Sequence, residues 1–147
     1  MHIDTATMED IPQLCILLVE LFSQEAEFNP DPEVQSEGLK KIISSPETGH
    51  VIVAREGNDI IGMANLLFTV STALGSPVAI LEDMVVLPQA RRSGIGSRLI
   101  DYCLKTAVQK GCKRITLLTD HDNAEAHRFY ERHGFVRSSM VTYRKSI

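Results

Sequence analysis

The stretch "VVLPQARRSGIGSRLI", residues 85–100, joins a valine-rich run to an amphipathic pattern through a proline, two arginines and two glycines. Valines favour a β-strand, and apolar residues at helical spacing after Gly96 favour an α-helix. Glycines in such a turn let an anionic ligand approach the first N–H groups of the helix, which have no intrahelical acceptor. The stretch predicts either a phosphate cradle or an ordinary tight connection, because Gly-x-Gly alone is a weak signal.

The composition is that of an ordinary folded domain. The chain has 147 residues, of which 44% are apolar and 23% charged, and its net charge is −4. This length suits a single domain over 1–147, and the negative charge disfavours a general nucleic-acid binder. The longest apolar run, "CILLV", is too short to cross a bilayer, and the first ten residues lack a signal-peptide pattern. We therefore expect a cytoplasmic protein with neither nucleic acid nor membrane as a partner.

Hydrophobic periodicity predicts a mixed α/β sheet. A strand at 2–6 precedes a helix with a capping box at Thr7 and Asp10, and Asp31 caps a second helix that ends near Ser44. The remaining elements are strands at 50–55, 60–70 and 78–87, a helix at 94–110, a strand at 114–119, a helix from Asn123 to Gly134, and one or two strands within 135–145. The order β-α-α-β-β-β-α-β-α-β places helices on both faces of one sheet.

Two familiar phosphate-binding motifs do not fit the glycine turn. A dinucleotide fingerprint requires a third glycine at the position of Leu99. A P-loop requires Gly-Lys-Ser/Thr, but Gly96 is followed by Ser97 and Arg98. The pattern that remains is Arg-x-x-Gly-x-Gly, which starts at Arg91 shortly after "VVLP".

This pattern resembles the acetyl-CoA pyrophosphate loop of the Gcn5-related N-acetyltransferase (GNAT) family. A second block, "NAEAHRFYERHGF" at 123–135, resembles the family's N-x-x-A-x-x-F-Y-x-x-x-G-F signature. Both blocks occur in the family's order with a predicted strand between them, and the resemblance extends over essentially the whole chain. It implies an enzyme, an acetyl-CoA-dependent N-acetyltransferase that moves an acetyl group to the primary amine of a small molecule by direct attack in a ternary complex.

The resemblance also implies how the chain binds acetyl-CoA. Backbone N–H groups at 95–97 would hold the pyrophosphate, and the backbone at 85–87 would pair with the pantetheine arm where this strand splays from the next. Arg91 occupies the motif position, Arg92 is equally well a solvated surface residue, and Asn123 is either a cofactor contact or only a helix cap. The full set of implied cofactor-binding residues is Val85, Val86, Leu87, Arg91, Arg92, Ser93, Gly94, Ile95, Gly96, Ser97 and Asn123.

Tyr130 occupies the position at which many family members place a general acid for the departing thiolate. A phenol suits that role because its ordinary pKa, near 10, keeps it protonated at pH 7. The alternative is a core aromatic side chain that packs beside Phe129. Removal of the hydroxyl group alone separates the two, because a packed ring does not need it.

Two adjacent carboxylates in "LEDMVV", Glu82 and Asp83, are candidates for the base that deprotonates the amine. Side chains alternate along a strand, so we expect the two on opposite faces and only one of them in a given cleft. The stretch resembles spermidine/spermine-type members of the family, which makes Glu82 the first candidate and Asp83 the second. The alternatives are strand-end carboxylates held by neighbouring N–H groups, and proton transfer to water.

The acceptor is defined only as an amine. Glu25 and Glu27 lie at the end of the first predicted helix, a region that lines the acceptor cleft in the family. With the two strand carboxylates they would bind a cationic amine, and the alternative is a solvated acidic helix end. Two other functions stay open, which are acetylation of a protein N-terminus or lysine, and a non-catalytic acetyl-CoA-binding regulatory module. A homodimer is common in the family and is a possible assembly here.

The histidines near the second block do not form a metal-binding pattern. His121, His127 and His133 are six residues apart. On a helix this spacing rotates each residue by about 240° from the one before. Because the three side chains would not share a face, we expect no metal site.

Overall fold

Five strands form one sheet in the computed structural model, which describes residues 1–25 and 27–147. The strands are β1 (His2–Thr5), β2 (Gly49–Glu56), β3 (Asp59–Ser71), β4 (Ser76–Val86) and β5 (Ile115–Leu117). They lie side by side in chain order, and the first four are antiparallel. Only the last pair, β4 and β5, is parallel. A parallel pair needs a crossover between its strands, and a helix provides it here.

Helices cover both faces of this sheet. They are α1 (Ile11–Phe22), α2 (Pro32–Ile43), α3 (Ile95–Gln109) and α4 (Ala124–Arg132), with 3₁₀ turns at Met8–Asp10 and Pro88–Ala90. Val51 packs with Leu14 of α1 on one face, and its neighbour Ile52 packs with Leu99 of α3 on the other. The predicted mixed α/β fold is confirmed. Within the described residues, no helix combines the length and apolar character that a membrane crossing requires.

Two helix caps predicted from the sequence are formed. The Asp31 side chain accepts a hydrogen bond from the Val34 N–H at 3.4 Å, and Pro32 is the first residue of α2. The Asn123 side chain accepts one from the Ala126 N–H at 3.1 Å and so begins α4. Each cap satisfies a backbone donor that the helix itself leaves unpaired.

Asp10 ties the N-terminal segment to the sheet. The Thr7 N–H donates to its carboxylate at 2.8 Å, so the predicted capping box closes the 3₁₀ turn rather than α1 itself. Arg55 of β2 donates to both Asp10 oxygens, at 2.9 and 2.7 Å, and its Nε donates to Asp4 at 2.9 Å. The Arg55 hydrogen bonds hold the pKa of Asp10 below its ordinary value.

The last element of the predicted order is not formed. Residues 135–147, all within the described part of the chain, contain no strand, so the order is confirmed as far as α4. Val136, Met140 and Tyr143 are 90%, 86% and 92% exposed. Strand-forming residues need a partner strand or a buried face, and this segment has neither among the described residues. This corrects the prediction of one or two strands within 135–145.

Candidate active site

A cavity opens where β4 and β5 stop pairing. Their last paired residues are Leu81 and Leu117, and β4 continues to Val86 without a β5 partner. The cavity has a volume of about 850 Å³. Its walls are the end of β4, the first turn of α3, the end of α1 and one side of α4. The two strands thus separate where the family resemblance implied a splay.

Most of the residues singled out from the sequence line this cavity. They are Glu82, Asp83, Val85, Val86, Arg91, Arg92, Gly94, Ile95, Gly96, Ser97, Asn123 and Tyr130. Leu87 and Ser93 are not among its lining residues. The Leu87 N–H donates to the Ile61 carbonyl oxygen at 2.9 Å, and Ser93 Oγ donates to the Ala90 carbonyl oxygen at 2.5 Å. These two residues therefore hold the turn in shape.

The first turn of α3 presents free backbone donors to the cavity. Gly94 caps the helix with a φ of 81°, and Arg92 has a φ of 62°. The first intrahelical hydrogen bond runs from the Arg98 N–H to the Gly94 carbonyl oxygen at 3.1 Å. The N–H groups at 95–97 precede it and have no acceptor within the helix. They lie at the positive end of the helix dipole, which suits an anionic group.

The two glycines of the turn serve different purposes. A Cβ built on Gly94 would have no heavy atom within 4 Å, so glycine is needed there for its left-handed backbone. A Cβ built on Gly96 would lie 3.2 Å from Cζ of Phe129 and 3.7 Å from Cε of Met84. Gly96 therefore makes room for α4 to pack on α3, a purpose that its position in a phosphate-loop pattern did not reveal.

Arg91 links the glycine turn to α1. Its Nε donates to the Val86 carbonyl oxygen at 2.9 Å, and its Nη2 donates to Glu20 Oε1 at 3.1 Å. The guanidinium group is half exposed at the edge of the cavity. An anion at the start of α3 would compete with Glu20 for it.

Ser97 and His133 form a contact that the sequence did not suggest. Ser97 Oγ lies 3.0 Å from His133 Nε2, and Asp101 Oδ1 lies 3.9 Å from His133 Nδ1. The residues are 36 positions apart in the chain, so no local pattern connects them. Within residues 1–25 and 27–147, no group of three or more His, Cys, Asp or Glu side chains is placed to hold a metal ion.

A bulge in β4 interrupts the side-chain alternation from which opposite faces were expected for Glu82 and Asp83. The register of β4 with β3 shifts between the pairs Asn65–Glu82 and Met63–Val85. Asp83 lies within this bulge and has a φ of 52°. An extra residue in one strand breaks the alternation of side chains. Glu82 and Asp83 both belong to the stretch 81–86 that lines the cavity.

Asp83 is the more deeply placed of the two carboxylates. Asn65 of β3 donates its Nδ2 to Asp83 Oδ2 at 2.6 Å. Burial raises the pKa of Asp83 to about 6, the Asn65 hydrogen bond opposes this rise, and the Glu82 charge adds to it. Glu82, by contrast, is exposed at the cavity wall. Asn65 was not singled out from the sequence, where it is one polar residue in a long apolar strand.

The segment that follows α1 adds the carboxyl groups of Glu25 and Glu27 to the cavity wall. Burial raises the pKa of Glu25 to about 6, and the charges of Asp83 and Asp120 add to this rise. Glu27 pairs with Arg144, whose guanidinium carbon lies 5.5 Å from the centre of the Phe28 ring. The predicted acidic group is thus brought together, but one arginine offsets part of its charge.

Tyr130 of α4 packs against other aromatic rings and also lines the cavity. Its ring is 5.3 Å from the Phe129 ring and 5.8 Å from the Phe135 ring, centre to centre. The same residue lines the cavity. Burial raises the pKa of Tyr130 to about 12, so its hydroxyl group stays protonated at neutral pH. Asn123 likewise both caps α4 and lines the cavity.

Comparisons with known proteins agree with this architecture. The family model of the GNAT acetyltransferases matches residues 13–135. The uncharacterized N-acetyltransferase YhfO of Bacillus subtilis is 32% identical over 118 residues, 78% of each chain. The aminoalkylphosphonate N-acetyltransferase of Salmonella typhimurium is 28% identical over 133 residues, 90% of this chain and 83% of that protein.

The fold is also that of solved structures. A structure from Agrobacterium tumefaciens superposes with a TM-score of 0.85 over 99% of this chain and 100% of that chain, at 24% identity. At that identity the superposition bears on the fold alone. The family model covers residues 13–135, which include the point where β4 and β5 separate and the start of α3. On the match to the family model, the chain belongs to the GNAT family and is an acetyltransferase.

Proposed function

We propose that this protein transfers an acetyl group from acetyl-CoA to the primary amine of a small molecule, by direct attack in a ternary complex within one domain spanning 1–147. One observation carries the proposal. The free N–H groups at the start of α3 and the half-buried residue Asp83 line the same cavity. An anion-binding end and a proton-accepting end in one space are what a donor and an amine acceptor require.

The donor end has the chemistry that a pyrophosphate needs. The N–H groups at 95–97 offer unpaired donors, and Gly94 leaves the approach to them open. Arg91 and Arg92 add positive charge at the edge. Bound acetyl-CoA would supply an acetyl group activated as a thioester. The Leu87 N–H already bonds to the Ile61 carbonyl oxygen, so this N–H is not free for the pantetheine arm.

Asp83 becomes the first candidate for the base, ahead of Glu82. An aliphatic amine arrives mainly as an ammonium ion, because the ordinary pKa of such a group is about 10. A carboxyl group with a pKa of about 6 is ionised at pH 7 to 8, and a raised pKa makes it a better proton acceptor than an ordinary aspartate. In the proposed step the amine proton moves to an Asp83 carboxylate oxygen.

Tyr130 is the proposed general acid. Its hydroxyl oxygen keeps its proton at neutral pH, since its pKa is about 12. The residue lies on α4 and lines the same cavity as Asp83. A protonated phenol at this position is available to a departing thiolate.

A small amine is favoured over a protein acceptor. The cavity volume of about 850 Å³ is of the size that encloses small ligands, and its acceptor side carries the carboxyl groups of Glu25, Glu82 and Asp83. A relative similar over 90% of this chain is named for an aminoalkylphosphonate, a small amine. Peptide acetylation and non-catalytic acetyl-CoA binding are the competing functions. A cytoplasmic location and a homodimer stay predictions.

The decisive experiment incubates the purified protein with acetyl-CoA and matched panels of small amines and peptides. Free thiol release and the mass of the acetylated product are both measured. We expect a product with at least one small amine and loss of turnover in Asp83→Asn. Product with peptides alone would favour the protein acetyltransferase. Tight acetyl-CoA binding without product from either panel would favour the regulatory module.

A further inference from the structure

We propose that Asn65 is a positioning residue for Asp83, whose carboxylate it holds at the cavity wall. This inference rests on the proposed role of Asp83 as the proton acceptor. Asn65 lies on β3 and pairs with Glu82 across the strands. Its Nδ2 donates to Asp83 Oδ2 at 2.6 Å. This hydrogen bond connects β3 to the bulge of β4, which lines the cavity.

The surroundings of Asn65 make a polar side chain there costly. Only 2% of its surface is exposed, and its neighbours along the strand, Ala64 and Leu66, are fully buried. Its Oδ1 is buried and has no hydrogen-bond partner among the described residues. A buried polar atom without a partner is destabilising, so an apolar residue of similar size would suit the sheet better. The amide is therefore explained by the bond that it does make, to Asp83.

The backbone conformation of Asp83 indicates what the hydrogen bond from Asn65 stabilises. A φ of 52° is uncommon for a residue with a side chain, and it persists only where the surroundings hold it. The donor of Asn65 fixes one carboxylate oxygen and leaves the other for the cavity. It also favours the ionised form of Asp83. Glu82 raises the pKa of Asp83, and Asn65 opposes that effect. Beyond α1, the charge of Asp83 acts on Glu25, on which Asp120, Arg144 and Glu27 also act.

The test compares Asn65→Leu with Met63→Leu in the full chain. Met63 lies two residues earlier on the same strand, so it points to the same face, and it is fully buried. Turnover is measured from pH 5 to 9 with acetyl-CoA and an amine that the protein accepts. In Asn65→Leu we expect the acidic limb of kcat to move up by about one pH unit, since a hydrogen bond to the charged form is lost. The KM for acetyl-CoA should change less than twofold, and Met63→Leu should leave the limb in place.

A double variant separates this inference from the proposed function. Asp83→Asn should abolish the acidic limb of kcat. The double variant Asp83→Asn with Asn65→Leu should then have the same pH profile as Asp83→Asn alone. If Asp83→Asn keeps a normal limb, the proposed base is wrong. If Asp83→Asn removes the limb but Asn65→Leu leaves it unmoved, the base stands and the positioning role is overturned.

A second readout covers the case in which Asn65→Leu does not fold. Asn65→Ser is smaller, and its hydroxyl group is too short to keep the contact. The titration of the Asp83 carboxyl carbon is then followed by NMR in the original chain and in Asn65→Ser. A pKa that rises in the variant supports the inference, and an unchanged pKa overturns it.

Discussion

Gly96 of α3 lies directly against the ring of Phe129 of α4, so close that a Cβ on Gly96 would be 3.2 Å from Phe129 Cζ. This contact packs the helix that opens with the anion-binding turn against the helix that carries Tyr130. The anion-binding turn and the proposed general acid therefore lie on two helices that pack directly against each other. A glycine that a motif assigns to ligand approach thus acts through the packing of two helices.

Gly96→Val should disturb this packing. The added methyl groups overlap the Phe129 ring, and such overpacking costs about 1–3 kcal/mol. We expect a lower free energy of unfolding, measured with denaturant, together with weaker acetyl-CoA binding. Phe129→Leu in the same chain should restore part of the stability by making room. If the changes in the free energy of unfolding caused by the two substitutions simply add, the Gly96–Phe129 contact is not the cause of the lost stability.

Gly94→Ala tests the backbone of the turn without a clash. An alanine at a φ of 81° is strained by about 1–2 kcal/mol, although it has open space around it. Gly57, in the turn between β2 and β3, is a matched control, because it has a φ of 61° and equally open space. Both variants should lose similar stability, but only Gly94→Ala should bind acetyl-CoA more weakly. Equal affinities in calorimetry would remove the turn from the cofactor site.

Tyr130→Phe should lower turnover by about 10²-fold, the effect expected for loss of a general acid. Because the ring and its contacts with Phe129 and Phe135 remain, the affinity for acetyl-CoA should change little. Steady-state kinetics with a saturating amine gives both values. Unchanged turnover would leave Tyr130 as a packed aromatic side chain. Since its pKa is about 12, the original chain should show no loss of a Tyr130 proton below pH 9.

The two carboxylates of the bulge should respond differently to substitution. Turnover should rise with pH through about 6 as Asp83 becomes ionised. Glu82→Gln removes a negative charge that raises the pKa of Asp83, so the acidic limb should move to lower pH. Asp83→Asn should abolish the limb and most of the activity. If the acidic limb of turnover disappears in Glu82→Gln and survives in Asp83→Asn, Glu82 is the base.

Asp10 and Arg55 should contribute to stability in a pH-dependent way. The pKa of Asp10 is lowered in the folded state, mainly by the Arg55 hydrogen bonds. The contribution is therefore fully present above the ordinary aspartate pKa of about 4 and is lost as pH falls through the lower folded value. Asp10→Asn removes the charge-assisted hydrogen bonds from Arg55, which keeps its bond to Asp4, and should cost about 1.5–3 kcal/mol at pH 7.

The exposed pair Glu37–Lys40 provides a control for that measurement. Its side chains are 65% and 51% exposed, so Glu37→Gln should cost less than about 0.5 kcal/mol. Denaturant unfolding at pH 3 and pH 7 should show a smaller gap between Asp10→Asn and the original chain at pH 3. A gap that is independent of pH would contradict the ion-pair explanation.

Local features of this protein were predictable from the sequence. Asp31 and Asn123 cap the helices that follow them, and the turn at Gly94 opens α3. Capping bonds and helical periodicity join residues within one turn of each other, so a short stretch of sequence contains all the partners. The two motif blocks also contain half of the residues that line the cavity.

Contacts between distant residues were decided only by the tertiary structure. Alternation predicted opposite faces for Glu82 and Asp83, but a bulge, which depends on how β4 is matched to β3, interrupts that alternation where both residues line the cavity. Asn65 meets Asp83 for the same reason, 18 positions away in sequence. The apolar C-terminal residues at 135–147 look like a strand, yet they form none, because a strand exists only where a partner accepts its hydrogen bonds. Strand matching and helix packing are set by many residues far apart in the chain, and no local pattern records them.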